Sequence, residues 1–126
     1  PDATEMHEQM RDTREFQARK IRDEFPNVNY IRIVLSFEDY DQKTGPESRE
    51  LMYGQESRAF FEMKCPYYEC VMGGFDFSSP IRKAVSDRLS LAKGSVTCRG
   101  WQDRERIHKN HCYLKANYEI HVEYAV

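Results

Sequence analysis

The sequence predicts an α+β fold. The expected architecture is a two-layer sandwich, a four-stranded antiparallel sheet with two helices in the order α-β-β-α-β-β. Three observations lead there. Residues 113–124 alternate strictly, with Leu114, Ala116, Tyr118, Ile120, Val122 and Tyr124 on one side and Lys115, Asn117, Glu119, His121 and Glu123 on the other. Residues 28–38 alternate in the same way. That period of two, with one wet face, belongs to antiparallel strands. Between and before such runs lie two stretches with helical spacing and helical punctuation. At 126 residues the chain is expected to be a single domain, 1–126, able to bury a core without covalent help.

The elements follow in order. Residues 2–24 read as a helix, with 1–25 as a peripheral N-terminal unit. Asp2 and Glu5 match a capping box, and no Gly or Pro intervenes before Pro26. Its apolar stripe is thin: Met6, Met10, Ile21 and Phe25, with Phe16 off to one side. Such a helix lies on a surface or docks on a second subunit. Residues 28–38 form the first strand, with Ile31, Ile33, Leu35 and Phe37 on one face. Residues 39–57, with Gly45-Pro46 and many charges, read as a long hairpin loop. Residues 58–65 read as the second strand, with Ala59, Phe61, Met63 and Cys65 aligned.

Residues 79–93 read as the second helix, capped by Ser78 or Ser79, with Pro80 in the first turn and Gly94 as the left-handed stop. Ile81, Ala84, Val85, Leu89 and Ala92 are its expected buried stripe. Residues 95–102 are the third strand, carrying Val96 and Cys98 on one face, and 113–124 the fourth. The order is also similar to that of a circularly permuted ferredoxin-like fold with its first strand moved to the end.

Composition narrows the classes of function. Hydrophobic residues at 40% and aromatics at 13% argue against a disordered chain. No apolar run reaches the ~18 residues of a membrane span, so no membrane partner is expected. A net charge of -2 gives no global attraction for nucleic acid. The first residues, Pro-Asp-Ala-Thr-Glu, lack a basic stretch followed by an apolar one. A cytoplasmic location is therefore expected, where Cys65, Cys70, Cys98 and Cys112 stay reduced.

Those four cysteines are the main chemical signal. Cys65 and Cys70 flank Pro-Tyr-Tyr-Glu after the second strand, and Gly73-Gly74 follows; Cys98 is followed by Arg99-Gly100, and Cys112 opens the last strand. A strand end, a Cys-Pro turn and glycines resemble the first knuckle of a zinc ribbon. The resemblance covers residues 65–74 and 98–112 within a metal-knuckle region 65–112, and it implies four thiolates on one structural zinc. A ribbon has two residues between the cysteines of each pair, whereas this chain has four and thirteen. His108 or His111 can therefore substitute for Cys112 as fourth ligand. The alternatives are inert buried thiols and disulfides.

The near-zero net charge hides two poles. Between residues 38 and 56 six acidic side chains stand against two basic ones; between 98 and 115 five basic stand against two acidic. The basic segment carries Arg99, Trp101, Arg104, Arg106, Lys109, Tyr113 and Lys115, a mixture of cations and aromatics that can hold phosphates and stack bases. The opposite poles also permit self-association, with a dimer as its simplest form.

Signals for catalysis are weak. His121-Val122-Glu123 resembles the His-x-Glu of zinc deaminases, but no Pro-Cys-x-x-Cys follows it, and both residues fall on the polar side of the last strand. His111 and Cys112 are neighbours in sequence and point to opposite faces, so they do not form a nucleophilic pair. No catalytic residue is assigned. The sequence thus favours a non-enzymatic binding or interaction module stabilised by structural zinc, with a protein partner or self-association. A nucleic-acid-binding module centred on 99–115 comes second, and a thiol or metal enzyme third.

Overall fold

A computed structural model describes residues 2–38, 48–67, 70–101 and 112–126. Its elements are α1 (Ala3–Gln17), α2 (Ile21–Glu24), β1 (Val28–Glu38), β2 (Ser48–Gly54), β3 (Glu62–Met63), β4 (Phe75–Asp76), α3 (Ser78–Ser86), β5 (Leu91–Thr97) and β6 (Lys115–Tyr124). Four strands form an antiparallel sheet in the order β2-β1-β6-β5, and β3 and β4 form a small antiparallel sheet of their own. The α+β class and the four-stranded antiparallel sheet are as the sequence predicts.

The long β1–β6 pairing is the spine of the fold. Ile31 stands opposite Val122, Ile33 opposite Ile120 and Leu35 opposite Tyr118. Strand alternation puts all six on one face, and all but Tyr118 are buried. Phe61, Phe77 and Ile81 pack with them in the core, each fully buried, as does Ile21. Aromatic contacts join the cluster: Tyr53 meets Phe61 edge-on at 5.0 Å between centroids, and Phe77 meets Tyr118 at 6.0 Å. The opposite face carries polar pairs, among them Arg32–Glu50 at 2.9 Å and Lys115–Glu38 at 3.7 Å.

Several sequence expectations need correction. The helix expected over 2–24 breaks at 18–20. There Lys20 bridges Arg58, and the Ala59 N–H donates to the Arg19 carbonyl at 2.6 Å. Pairing with a distant segment outweighs local helix preference. The stripe divides with it: Ile21 and Phe25 are buried, while Met6 and Met10 are 51% and 60% exposed. No α1 residue is buried, and Arg14 ties the helix down through two hydrogen bonds of 2.8 Å to Glu62.

The expected loop 39–57 contains strand β2, while 39–47 lie outside the described residues. The strand expected over 58–65 shrinks to Glu62–Met63, paired with β4 rather than with the main sheet. It is therefore β2 that sits at the sheet edge beside β1, and β1 that sits beside β6. A permuted ferredoxin-like order would place the second strand between those two, so that likeness does not hold.

The second helix also starts and ends differently. Phe77 precedes its first turn, and the Ser78 N–H and hydroxyl both donate to Asp76 Oδ1, so neither serine caps it with its own side chain. It stops at Ser86 through a Schellman arrangement. Arg88 adopts φ 53, its N–H reaches the Val85 carbonyl at 3.1 Å, and the Leu89 N–H reaches the Ala84 carbonyl at 2.9 Å. The arginine in the left-handed position is held by Tyr124, whose ring lies 5.2 Å from the guanidinium and whose hydroxyl donates to the Leu89 carbonyl at 2.8 Å. Gly94 is no helix stop. It sits inside β5 opposite Tyr118, whose ring fills the space a side chain would need. Leu89 is exposed and Ala92 belongs to β5, so neither extends the buried stripe of α3. The third strand runs over Leu91–Thr97 in place of 95–102, leaving Cys98 just beyond it.

Among the described residues, no helix is long and apolar enough to cross a membrane.

Tyr53 supplies a pH test of this packing. Burial, and secondarily the charge of Glu15, pushes its phenol up from 10.0 to about 12. An acid whose folded pKa is raised stabilises the fold below its unfolded pKa and ceases to do so as pH climbs to the folded value. Between pH 10 and 12 the wild-type chain is therefore expected to lose about 2 kcal/mol more than Tyr53→Phe, measured by urea unfolding at each pH.

Candidate metal centre

Two pairs of chain segments converge at one end of the sheet. On one side, β3 runs out through Lys64 to Cys65, and the chain returns through Cys70-Val71-Met72-Gly73-Gly74 to β4. On the other, β5 runs out through Cys98-Arg99-Gly100 to Trp101, and Cys112-Tyr113-Leu114 leads into β6. The second pair continues the β5–β6 ladder: the Cys98 N–H donates to the Leu114 carbonyl at 2.8 Å, and the Cys112 N–H to the Gly100 carbonyl at 2.7 Å. The two sides are joined by Val71 and Trp101, which exchange two backbone hydrogen bonds of 2.8 Å. Each cysteine is thus positioned by backbone already ordered by strand pairing or by a turn, such as the Cys70 N–H bond to the Tyr67 carbonyl at 3.0 Å.

The four sulfurs lie within 4.8 Å of one another. Cys70 Sγ is 3.5 Å from Cys98 Sγ, and Cys65 Sγ is 3.7 Å from Cys112 Sγ. None of the four forms a disulfide, and the separations are far longer than the ~2.0 Å of an S–S bond. Cys98 and Cys112 are fully buried, while Cys65 and Cys70 are half-buried. The Gly74 and Gly100 N–H groups both point at Cys98 Sγ from 3.4 Å, a contact that favours a thiolate there.

Local backbone strain gathers at the same place. Met72 (φ 58) and Tyr113 (φ 54) occupy the left-handed region, two residues after Cys70 and one after Cys112. Such conformations cost on the order of 1–3 kcal/mol each and persist where the surroundings impose them. Gly73 and Gly100 meet an even tighter demand. A Cβ on Gly100 would stand 2.6 Å from Cys70 Sγ and 2.6 Å from Gly73 Cα; one on Gly73 would overlap the sulfurs of Cys70 and Cys98.

Electrostatics give the cluster its chemistry. Hydrogen bonding from the Cys112, Cys65 and Cys70 thiols holds Cys98 well below the ordinary thiol range, and bonding from Cys65 lowers Cys112 in the same way. Cys65 and Cys70 go up, first through their bonds to Cys112. Four sulfurs this close do not all ionise on their own; a cation at their centre removes that constraint. The cluster can therefore hold a metal ion.

The other residues singled out by the sequence scatter. Arg99 and Tyr113 are exposed beside the cluster, and Trp101 is half-buried through its bridge to Val71. Lys115 pairs with Glu38. Arg104, Arg106, His108, Lys109 and His111 lie outside the described residues. His121 sits on the polar face of β6 at 3.4 Å from Glu119, well up the strand from the sulfurs. Sequence reasoning missed His7 and Arg11 of α1. With Cys65, Cys70, Met72 and Gly73 they line a cleft of about 240 Å³. Their one sequence signal is spacing, since positions four apart share a helix face.

Fold and site together define an α+β chain with a four-cysteine centre. No protein-family model matches the chain, no curated protein matches it, and no solved structure matches it.

The glycine contact is open to direct test. Gly100→Ala is expected to lower stability by about 1–3 kcal/mol through overpacking against Cys70 and Gly73. Gly54→Ala is the control, since a Cβ there meets nothing within 4 Å. Thermal unfolding of the pair checks the difference.

Proposed function

We propose that the chain is a small, non-enzymatic binding module whose end is fastened by a structural zinc held by Cys65, Cys70, Cys98 and Cys112. The observation that carries this reading is the sulfur geometry. Four sulfurs at ~2.3 Å from a tetrahedral zinc stand about 3.8 Å apart. Here one pair stands at 3.5 Å and another at 3.7 Å, with all four within 4.8 Å. An all-sulfur tetrahedral donor set suits zinc, and a four-thiolate shell leaves no position for a substrate or reactive water. The N–H groups aimed at Cys98 Sγ and the glycine cradle support the same reading, because both suit a charged sulfur in a confined space.

The residues around the centre bear on the partner. Arg99 and Tyr113 are exposed on either side of the buried Cys98 and Cys112. A rigid knuckle presenting a cation and an aromatic ring suits contact with a protein, and equally with a nucleic-acid strand, which is the second reading.

Elemental analysis of the purified chain is expected to find one zinc per molecule. Cys70→Ser is expected to lose it and to melt with several kcal/mol less stability, since ligand binding and folding are coupled. A Cys70→Ser variant that melts as wild type does, with and without a chelator, would overturn the reading. For the second reading, Arg99→Ala is expected to weaken retention of single-stranded RNA at ~50 mM salt, where phosphate contacts are strong. Wild-type protein that retains none excludes it.

A further inference from the structure

The sulfurs are not equally accessible. Cys98 and Cys112 are fully buried, so a metal ion or a competing ligand reaches the cluster from the side of Cys65 and Cys70. That side opens into the cleft of about 240 Å³, and α1 forms its other wall through His7 and Arg11. The same two residues line an adjoining cleft of about 280 Å³ that runs on past Gly73 and Gly100 to Arg99. The helix spanning both clefts buries none of its residues. Its link to the small β3–β4 sheet is the two-bonded ion pair between Arg14 and Glu62. Glu62 is three residues from Cys65.

Arg11 is the informative side chain. Its guanidinium lies 5.6 Å from the Phe60 ring centroid, and its Nε is buried without a hydrogen-bond partner. A buried donor of that kind is costly unless charge nearby compensates it. Four thiolates around a divalent ion carry a net charge of two minus, and Arg11 shares a cleft with two of them. Glu8 and Lys64 also line the cleft that Arg11 shares with Cys65 and Cys70, and Glu62 and Asp76 line the adjoining one, so the metal-loaded sulfurs would join these carboxylates as the negative groups around Arg11.

We propose that α1 is a lid on the metal centre, fastened by Arg14–Glu62, with Arg11 as a countercharge that slows metal exchange. The proposal rests on the metal-centre reading above. Arg11 acts through electrostatics and does not ligate, so it is a positioning residue. Opening the Arg14–Glu62 pair or removing the Arg11 charge exposes Cys65 and Cys70 to competing ligands and weakens the hold on the metal.

Stopped-flow transfer of zinc from the full, zinc-loaded chain to 4-(2-pyridylazo)resorcinol tests this. Arg11→Met and Glu62→Gln are each expected to speed transfer about tenfold, the low end of what losing an outer partner of a metal centre costs. Arg11→Lys is expected to restore a rate near wild type. Wild-type transfer is expected to quicken with added salt, and transfer from Arg11→Met to respond less, a difference that a purely structural role would not produce. Rates for Arg11→Met and Glu62→Gln within twofold of wild type, on chains that hold one zinc, overturn the lid alone. A wild-type chain that takes up no metal overturns the lid and the metal centre together.

Discussion

Two backbone turns pass so closely that neither tolerates a side chain, and the sulfur cluster depends on that passage. Gly73 and Gly100 occupy the crossing, and the Val71–Trp101 hydrogen bonds pin the turns together beside it. With larger residues the turns would stand apart by at least the width of a methyl group. Cys70 would then leave Cys98, and the pairwise distances of 3.5 and 3.7 Å that suit a shared cation would be lost. The left-handed conformations of Met72 and Tyr113 belong to the same demand, since they turn the chain tightly enough to bring sulfur inward from both sides.

The main sheet delivers one half of this arrangement and the aromatic core delivers the other. Cys98 and Cys112 follow from the β5–β6 register, in which Thr97 faces Lys115 and the ladder continues one step past the sheet. Cys65 and Cys70 hang from the β3–β4 pair, which, among the described residues, has no ladder hydrogen bonding to the main sheet. Side chains hold that pair in place: Phe75 lies 5.7 Å from Phe37 of β1, and Phe77 lies 6.0 Å from Tyr118 of β6. Burial of these rings is worth roughly 1.5–3 kcal/mol apiece, enough to orient a two-residue ladder too short to stand alone.

What the sequence reveals follows from how each element is stabilised. β1 and β6 are central strands with one apolar face, so their alternation is written in the residues themselves. β2 is an edge strand reading Ser-Arg-Glu-Leu-Met-Tyr-Gly; only Leu51 and Tyr53 meet the core, and its charges read as a loop. α3 ends at Ser86, and the left-handed Arg88 that follows is held by Tyr124 from 36 positions on, beyond the reach of local pattern. The break after α1 comes from pairing with Arg58, again a distant partner. At the site, ligand type was legible because four cysteines in a chain expected to stay reduced are unusual. Their neighbours were not: Arg11 and Cys65 are 54 positions apart and line one cleft, with α1 tied to β3 through Arg14 and Glu62.

Charge links these halves. Hydrogen bonding among the sulfurs pushes the Cys65 and Cys70 thiols up and holds Cys98 and Cys112 down, and these contacts join the Val71–Trp101 backbone bonds in linking the β3–β4 arm to the main sheet. A divalent ion held by the four sulfurs would displace their protons and add coordinate bonds across the same gap. The sheet needs no such help, because Ile31, Ile33, Leu35 and Ile120 are already fully buried within it. A bound metal would therefore bear less on whether the sheet forms than on how firmly the arm is held, and with it the exposed Arg99 and Tyr113 beside the cluster. A metal held there would act as a fastener between the β3–β4 arm and the main sheet, on the side that α1 flanks.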